Sequence, residues 1–455
     1  MTVSTDSAVR STRILVPIVL FLALFMNWLV TGPEAERQYL LTFLGLFPKY
    51  SIILVELSAL LLLLSVFRDI RTNPESVDLL LKIAGVAAAV VLVHLPLTLF
   101  YGGSPVNFGI GFRNYFGFMP VLLVGFTQTL KGEDVKKYLV FLLILCLIQF
   151  PISVLQFREV IGSPDVIATF RESAFDRVSG SMGGFGANLL SMILAACASV
   201  LYAFSLEARK KWLFYAGILV LIAPMILSEA KGGLIYLVVL GLFFFLKSDI
   251  GIKQRIRLVV VFFLVISVFM VAYAVLLGTG RAIWSVDFLM EYLARTRDLS
   301  FDVRLNRLDA LLYSVQTIWD QGFSLIFGVG LGNATRNNFI GGDGAFYSFG
   351  TDRNFLNRGL LEIGFLGFFL LGMLLVAVYR RVKAVYLNSP DRTLRQLAFG
   401  FLGVLILIPF GMVHEDMQTR VQYAYPFAYC LGILLGEYAR MKRRAMTSAA
   451  EEVTA

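Results

Sequence analysis

Histidine is nearly missing from this chain: 455 residues contain two, His94 and His414. No histidine-based metal centre is expected from so few. Cysteine is almost as scarce, and Cys146, Cys197 and Cys430 each fall inside an apolar run, where a free thiol behaves as a small hydrophobe. Their spacing supports neither a disulfide framework nor a zinc site. Charge is thin too, at 16% Asp, Glu, Lys and Arg, against about 25% in an ordinary soluble protein. What fills the space is hydrophobic: 58% of the residues, with a mean hydropathy of +0.77. A chain of this composition must hide its surface in lipid.

Runs of roughly 16–22 apolar residues, near the length that crosses about 30 Å of hydrocarbon, fall at 14–30, 51–67, 79–100, 115–130, 138–157, 188–206, 212–227, 232–246, 258–277, 359–379, 397–413 and 421–438. They predict an all-α polytopic bundle of about twelve spans, with residues 1–455 forming a single integral membrane domain. The first run follows Arg10 and Arg13 like a signal peptide, but it is long enough to span and no small-residue cleavage site follows it. Within the spans Glu56, Lys82 and His94 are costly to bury. Lys82 is close enough to a helix end to snorkel, while Glu56 and His94 are read as satisfied polar contacts or as functional groups.

Alternate connections carry basic clusters: Arg68 and Arg71; Lys131, Lys136 and Lys137; Arg209, Lys210 and Lys211; Lys247, Lys253, Arg255 and Arg257; and the group from Arg380 to Arg395. The positive-inside rule places these loops and both termini in the cytoplasm. Two large connections, 158–187 and 278–358, then lie outside. Within the second, residues 305–319 (LNRLDALLYSVQTIW) read as an amphipathic helix at the membrane surface.

The basic residues assigned to the outside are nearly all arginine: Arg37, Arg113, Arg158, Arg171, Arg177, Arg281, Arg295, Arg297, Arg304, Arg307, Arg336, Arg353, Arg358 and Arg420, against Lys49 and Lys231. Guanidinium presents a planar, permanently charged fork that grips phosphate through two hydrogen bonds. A diphosphate ligand explains the preference; ion pairs with nearby aspartates or contacts with lipid phosphates are the alternatives.

Four segments in order resemble the O-antigen polymerase and ligase superfamily. Asp176-Arg177-Val178-Ser179-Gly180-Ser181 followed by Asn188 is similar to the family's R-v-x-G-t-f…N. Leu227-Ser228-Glu229-Ala230-Lys231-Gly232-Gly233 is similar to S-x-s-R-G-g, with Lys231 in place of the usual arginine. Arg304-Leu305-Asn306-Arg307, a helix, and Gly328-Val329-Gly330-Leu331-Gly332-Asn333 resemble R…w…a…G-v-G-x-G. The stretch from Arg353-Asn354-Phe355 through Glu362 to Gly364 and Gly367 resembles H-N-x-y-L-x…E-x-G-x-x-G. The ligase branch carries a histidine where this chain has Arg353, and no histidine occurs in 278–358, so the resemblance points to a polymerase. Gly328, Gly330 and Gly332 follow no strand of a βαβ unit, which argues against a nucleotide site; such backbone bends sharply or approaches a ligand closely.

The resemblance implies a bacterial inner-membrane glycosyltransferase that joins undecaprenyl-diphosphate-linked oligosaccharides into a surface polysaccharide. Membrane lipids, a chain-length regulator and a flippase are the further partners expected, with no nucleic acid, no metal and no cofactor. Arg304 and Arg353 are expected to be catalytic, stabilising the departing diphosphate. Arg113, Arg177, Lys231, Arg307 and Arg358 are expected to help bind it. Asp302, Asp309, Glu229 and Glu362 are candidate general bases by location; Glu362 is also read as an N-terminal helix charge or an ion-pair partner. The alternatives are a ligase or protein O-oligosaccharyltransferase of the same superfamily and, from another class, a lipid-linked oligosaccharide flippase.

Overall fold

The structure, a computed structural model, describes residues 14–25, 51–128, 130–161, 178–182, 186–228, 231–247, 255–256, 260, 267, 271, 297–299, 302–304, 307–335, 342–347, 354–415 and 420–454. In chain order the helices are α1 (Ile14–Phe25), α2 (Ser51–Thr72), α3 (Pro74–Phe100), α4 (Pro105–Phe116), α5 (Met119–Thr127), α6 (Gly132–Leu147) and α7 (Gln149–Ile161). A 3-10 turn at Gly180–Met182 precedes α8 (Ala187–Ser205), α9 (Lys211–Leu227) and α10 (Lys231–Lys247). After the antiparallel ribbon β1 (Arg297–Leu299) and β2 (Asp302–Arg304) come α11 (Arg307–Asp320), the single turn α12 (Ser324–Phe327), α13 (Phe355–Asn388), α14 (Arg392–His414) and α15 (Val421–Thr454). The chain is a multi-pass, mostly helical membrane protein.

The expected count of about twelve spans is corrected. Among the described residues five helical stretches are long and apolar enough to cross a membrane: Pro74–Phe100, Gly132–Val160, Ala187–Ser205, Phe355–Asn388 and Arg392–His414. Hydropathy counts apolar residues without seeing where a helix breaks. The run 115–130 is cut at Gly117-Phe118, leaving α5 with nine residues and about 13 Å of rise. Helices α9 and α10 have seventeen residues each, or about 25 Å. The apolar parts of α1 and α2 are shorter still. Run 421–438 opens the long α15 but carries Gln422, Glu437 and four tyrosines, which dilute its apolarity. Run 258–277 lies outside the described residues, except for positions 260, 267 and 271. The fold is all-α apart from the ribbon, whose three-residue strands are too short to carry a legible alternation.

Association of apolar helices in lipid needs close backbone approach, since lipid tails are as apolar as leucine. Small residues provide it here. Helices α8 and α14 are the most enclosed of the five, 72% and 67% buried over their apolar windows. They cross where a Cβ on Gly400 would sit 2.6 Å from Val200 Cα, and where Ser199 Oγ donates to the Gly400 carbonyl at 2.7 Å. Helix α15 crosses α5 at Gly432, where a Cβ would lie 2.8 Å from Phe126 N. One carboxylate closes two helix starts: Asp391 Oδ1 accepts from Thr393 N (2.8 Å) and Leu394 N (3.2 Å) of α14, and Oδ2 accepts from Gly132 N of α6 at 2.9 Å. Such N-caps satisfy amides that have no partner within the helix.

Helix α13 changes character at Gly364, whose φ of 62° and ψ of −170° interrupt the helix. Before it Phe355, Asn357, Arg358, Leu361 and Glu362 are buried in protein. Beyond it Phe365, Phe369, Leu370 and Leu374 are each at least half exposed, as lipid-facing residues are.

Candidate functional site

The loop after α12 is built by glycine. Gly328, Gly330 and Gly332 have φ of 77°, 92° and 82°, a region that a Cβ makes costly. Space excludes a side chain as well: a Cβ on Gly330 would lie 2.7 Å from Thr98 Cα, and one on Gly332 would overlap the Asn107 carbonyl. The loop is pinned from three sides. Val329 N donates to Leu361 O at 2.7 Å; Thr98 Oγ1 donates to Leu331 O at 2.9 Å; Asn333 Nδ2 donates to Thr98 O and Val329 O at 3.2 and 2.7 Å. The glycines thus bend sharply, and their close approach is to protein.

Glu362 completes this mount. It is fully buried, and its Oε1 accepts from Gly332 N at 3.0 Å and Thr335 Oγ1 at 2.7 Å. Its Oε2 lies 3.6 Å from Nε of Arg358, one turn earlier on α13, whose side chain is 2% exposed. The Arg358 guanidinium also stands 5.8 Å from the centre of the Tyr115 ring on α4, a cation–π distance. A buried carboxylate with one oxygen engaged by two donors and the other facing a guanidinium has the surroundings of a strut.

Two of the four motif segments meet on the other side. A Cβ on Gly232 would lie 3.1 Å from Asn188 Oδ1, and Gly233 packs on Ser191, so the start of α10 rests on the start of α8. The turn before α8 is held by glutamines of α7: Gly180 N donates to Gln156 Oε1 at 2.8 Å, Gln156 Nε2 donates to Gly180 O at 2.9 Å, and Ser181 N donates to Gln149 Oε1 at 2.7 Å. Tyr236 of α10 meets His414 at the end of α14 with ring centres 6.3 Å apart, and Phe355 N donates to Glu415 O at 3.2 Å. These contacts lead from Gly180 through Asn188, Gly232 and His414 to Phe355 and the glycine loop. Described residues from each of the four segments, the third represented by its glycine loop, are thus joined by one run of contacts.

The candidates divide as follows. Arg358 and Glu362 come together. Arg113 on α4 pairs with Glu56 of α2, which gives that carboxylate a partner. Asp309 lies in the first turn of α11. The ribbon carries Asp302 and Arg304, and its register sets Asp302 across from Leu299 and Arg304 across from Arg297. Lys231 opens α10 and Arg307 opens α11. Arg177, Glu229 and Arg353 lie outside the described residues. Sequence reasoning missed Tyr115, Thr335 and Asn107. Tyr115 stood inside an apolar run with nothing to distinguish it, whereas Thr335, three residues past the last glycine, is a donor that a glycine-rich turn could have flagged.

No protein-family model matches the chain, and no curated protein matches it. The resemblance stands on the four segments and their placement.

Proposed function

We propose that the chain is a bacterial inner-membrane polymerase of the O-antigen polymerase and ligase type, joining undecaprenyl-diphosphate-linked oligosaccharide repeats. The run of contacts that joins the four segments carries this reading. They are scattered from Asp176 to Gly367 in sequence, and shared chemistry is a reason for them to meet. The ribbon register sets two arginine positions, Arg297 and Arg304, across from each other. The basic connections support cytoplasmic termini and, with them, a site on the extracytoplasmic face.

In the reaction the acceptor hydroxyl oxygen bonds to the anomeric carbon as the bond from that carbon to the diphosphate oxygen breaks. The diphosphate leaves with the electron pair and the hydroxyl loses its proton. Arg304 and Arg353 stabilise the charge on the leaving group, with Arg113, Arg177, Lys231, Arg307 and Arg358 as the wider basic environment. Asp302, Asp309 and Glu229 are the carboxylates for the proton; Glu362 serves the loop instead. Arg353, in the place of the ligase histidine, favours a polymerase over a ligase.

The test is polymerisation of lipid-diphosphate-linked repeats by the purified protein. Arg304→Ala and Arg353→Ala should each lower the rate by about 10²–10³, the usual loss for one donor to a developing oxyanion. Arg37→Ala, outside the four segments, should leave it unchanged. Polymer made at the normal rate by both variants would remove the assigned roles, and single repeats failing to accumulate in a deletion strain would remove the polymerase reading itself.

A further inference from the structure

Away from this site, the three cysteines converge. Cys146 of α6, Cys197 of α8 and Cys430 of α15 line one apolar cavity of about 260 Å³. Along α6 the lining residues Lys136, Leu139, Val140, Leu143 and Cys146 follow helical spacing, so one stripe runs from an exposed lysine to a buried thiol. Val140 is 46% exposed and Cys146 is 4% exposed, so the cavity leads inward from the surface of the bundle.

Lys136 also lines a second space, a polar cleft of about 810 Å³. Its acids are largely engaged: Asp391 caps α6 and α14, and Glu437 pairs with Arg440 at 3.1 Å. Arg392 is paired with Glu207. That leaves Lys131, Lys136 and Arg444 without an ion pair among the described residues, against Glu133. An apolar cavity therefore opens at a shared lysine into a cleft with surplus positive charge.

We propose that this pair of spaces is a binding site for one anionic phospholipid of the bilayer, with an acyl chain in the thiol-lined cavity and the phosphate between Lys136 and Arg444. The charge selects the headgroup, the apolar lining selects the tail, and Lys136 stands where the two meet. Basic pockets between membrane helices are suited to anionic headgroups. The site makes no use of the sugar chemistry and stands or falls apart from it.

The native thiols report on occupancy, because the chain has no others. The full-length protein, delipidated in detergent, would be given phosphatidylglycerol, phosphatidylcholine, undecaprenyl phosphate or glycerol phosphate. Native mass spectrometry would read retained lipid, and intact mass would read the rate of alkylation by a membrane-permeant maleimide. Phosphatidylglycerol should be retained and should slow alkylation; phosphatidylcholine and glycerol phosphate should do neither. Lys136→Glu and Arg444→Glu, both exposed positions, should each weaken retention by roughly fivefold or more, the effect of one basic residue at an anionic surface. Lys442→Glu, beside the cleft but not lining it, should change nothing. The proposal is overturned by equal protection from phosphatidylcholine, by retention of phosphatidylglycerol without thiol protection, by protection from undecaprenyl phosphate alone, or by full protection in the Lys136→Glu, Arg444→Glu double variant.

Discussion

Removing the Glu362 carboxylate tests whether it mounts the glycine loop. Glu362→Ala deletes the acceptor of Gly332 N and Thr335 Oγ1 and the partner of Arg358 in one step. Hydrogen bonds to a charged group contribute about 1.5–3 kcal/mol each, so the two together set the loss at roughly 3–6 kcal/mol, before the ion pair is considered. Glu362→Gln keeps an amide oxygen where Oε1 sits, so the loop bonds survive in weaker form and chiefly the ion-pair part is lost. Breaking a buried pair costs roughly 3–5 kcal/mol when one partner is removed; at 3.6 Å the Arg358 contact is long, which puts the Gln variant at the lower end. The assay is equilibrium unfolding in mixed detergent and SDS micelles, carried through the cycle of Glu362→Gln, Arg358→Met and the double variant. Arg358→Met should cost at least about 1 kcal/mol less in the Gln background than in the native one. Additivity within about 0.5 kcal/mol, or an Ala variant no worse than Gln, would refute the strut.

Gly332→Ala, with its Cβ driven onto the Asn107 carbonyl at φ 82°, should destabilise by more than the roughly 1–3 kcal/mol of backbone strain alone; Gly85→Ala, which meets nothing within 4 Å, should be neutral or stabilising by up to about 1 kcal/mol. The same unfolding assay compares them. Gly432→Leu should separate α15 from α5 and abolish the monodisperse peak in size-exclusion chromatography, because the clashing Phe126 N is backbone and cannot swing away. Asp391→Ala should cost about 1 kcal/mol for each helix start that it caps, roughly twice an ordinary capping loss, and Asp391→Asn should recover only one of the two, since its amide nitrogen cannot accept from a backbone N–H. If the proposed chemistry runs on fixed guanidinium groups, polymerisation should proceed undiminished in a chelator; loss of activity restored by one divalent metal would contradict it.

Sequence patterns reported the solvent of each segment better than its neighbours. Membrane character follows from composition, and the run 188–206 differs from α8 by one residue at each end. The run 79–100 begins five residues late because Asn73 and Pro74 start α3 with a cap, a signal that hydropathy does not weigh. Residues 305–319 are helical from Arg307 to Asp320, with Leu308, Leu312 and Trp319 exposed and Ile318 buried. The split at Gly117 and the span count were not legible, since a break of two residues leaves the average hydropathy almost untouched. At the site, glycine spacing indicated bent backbone but could not name Thr98 and Asn107, more than 200 positions away, as what it bends against. Glu362 was open to reading as a base, a helix charge or an ion-pair partner, and only the donors around Oε1 separate these.

The interruption at Gly364 divides α13 into pieces that tolerate change differently. From Phe355 to Ile363 the neighbours are other parts of the chain, so a substitution must match both volume and polarity; loss of a methylene leaves a void and loss of a donor leaves an orphan. From Phe365 onward much of the surface meets lipid, which adapts to whatever apolar shape is offered. Leucine, isoleucine, valine, methionine and phenylalanine should be nearly interchangeable at Phe369, Leu370 and Leu374, while even Glu362→Asp should fail to reach both the Gly332 amide and the Thr335 hydroxyl. A saturation scan of this one helix should therefore show a permissive half and an intolerant half, with the boundary at a single glycine.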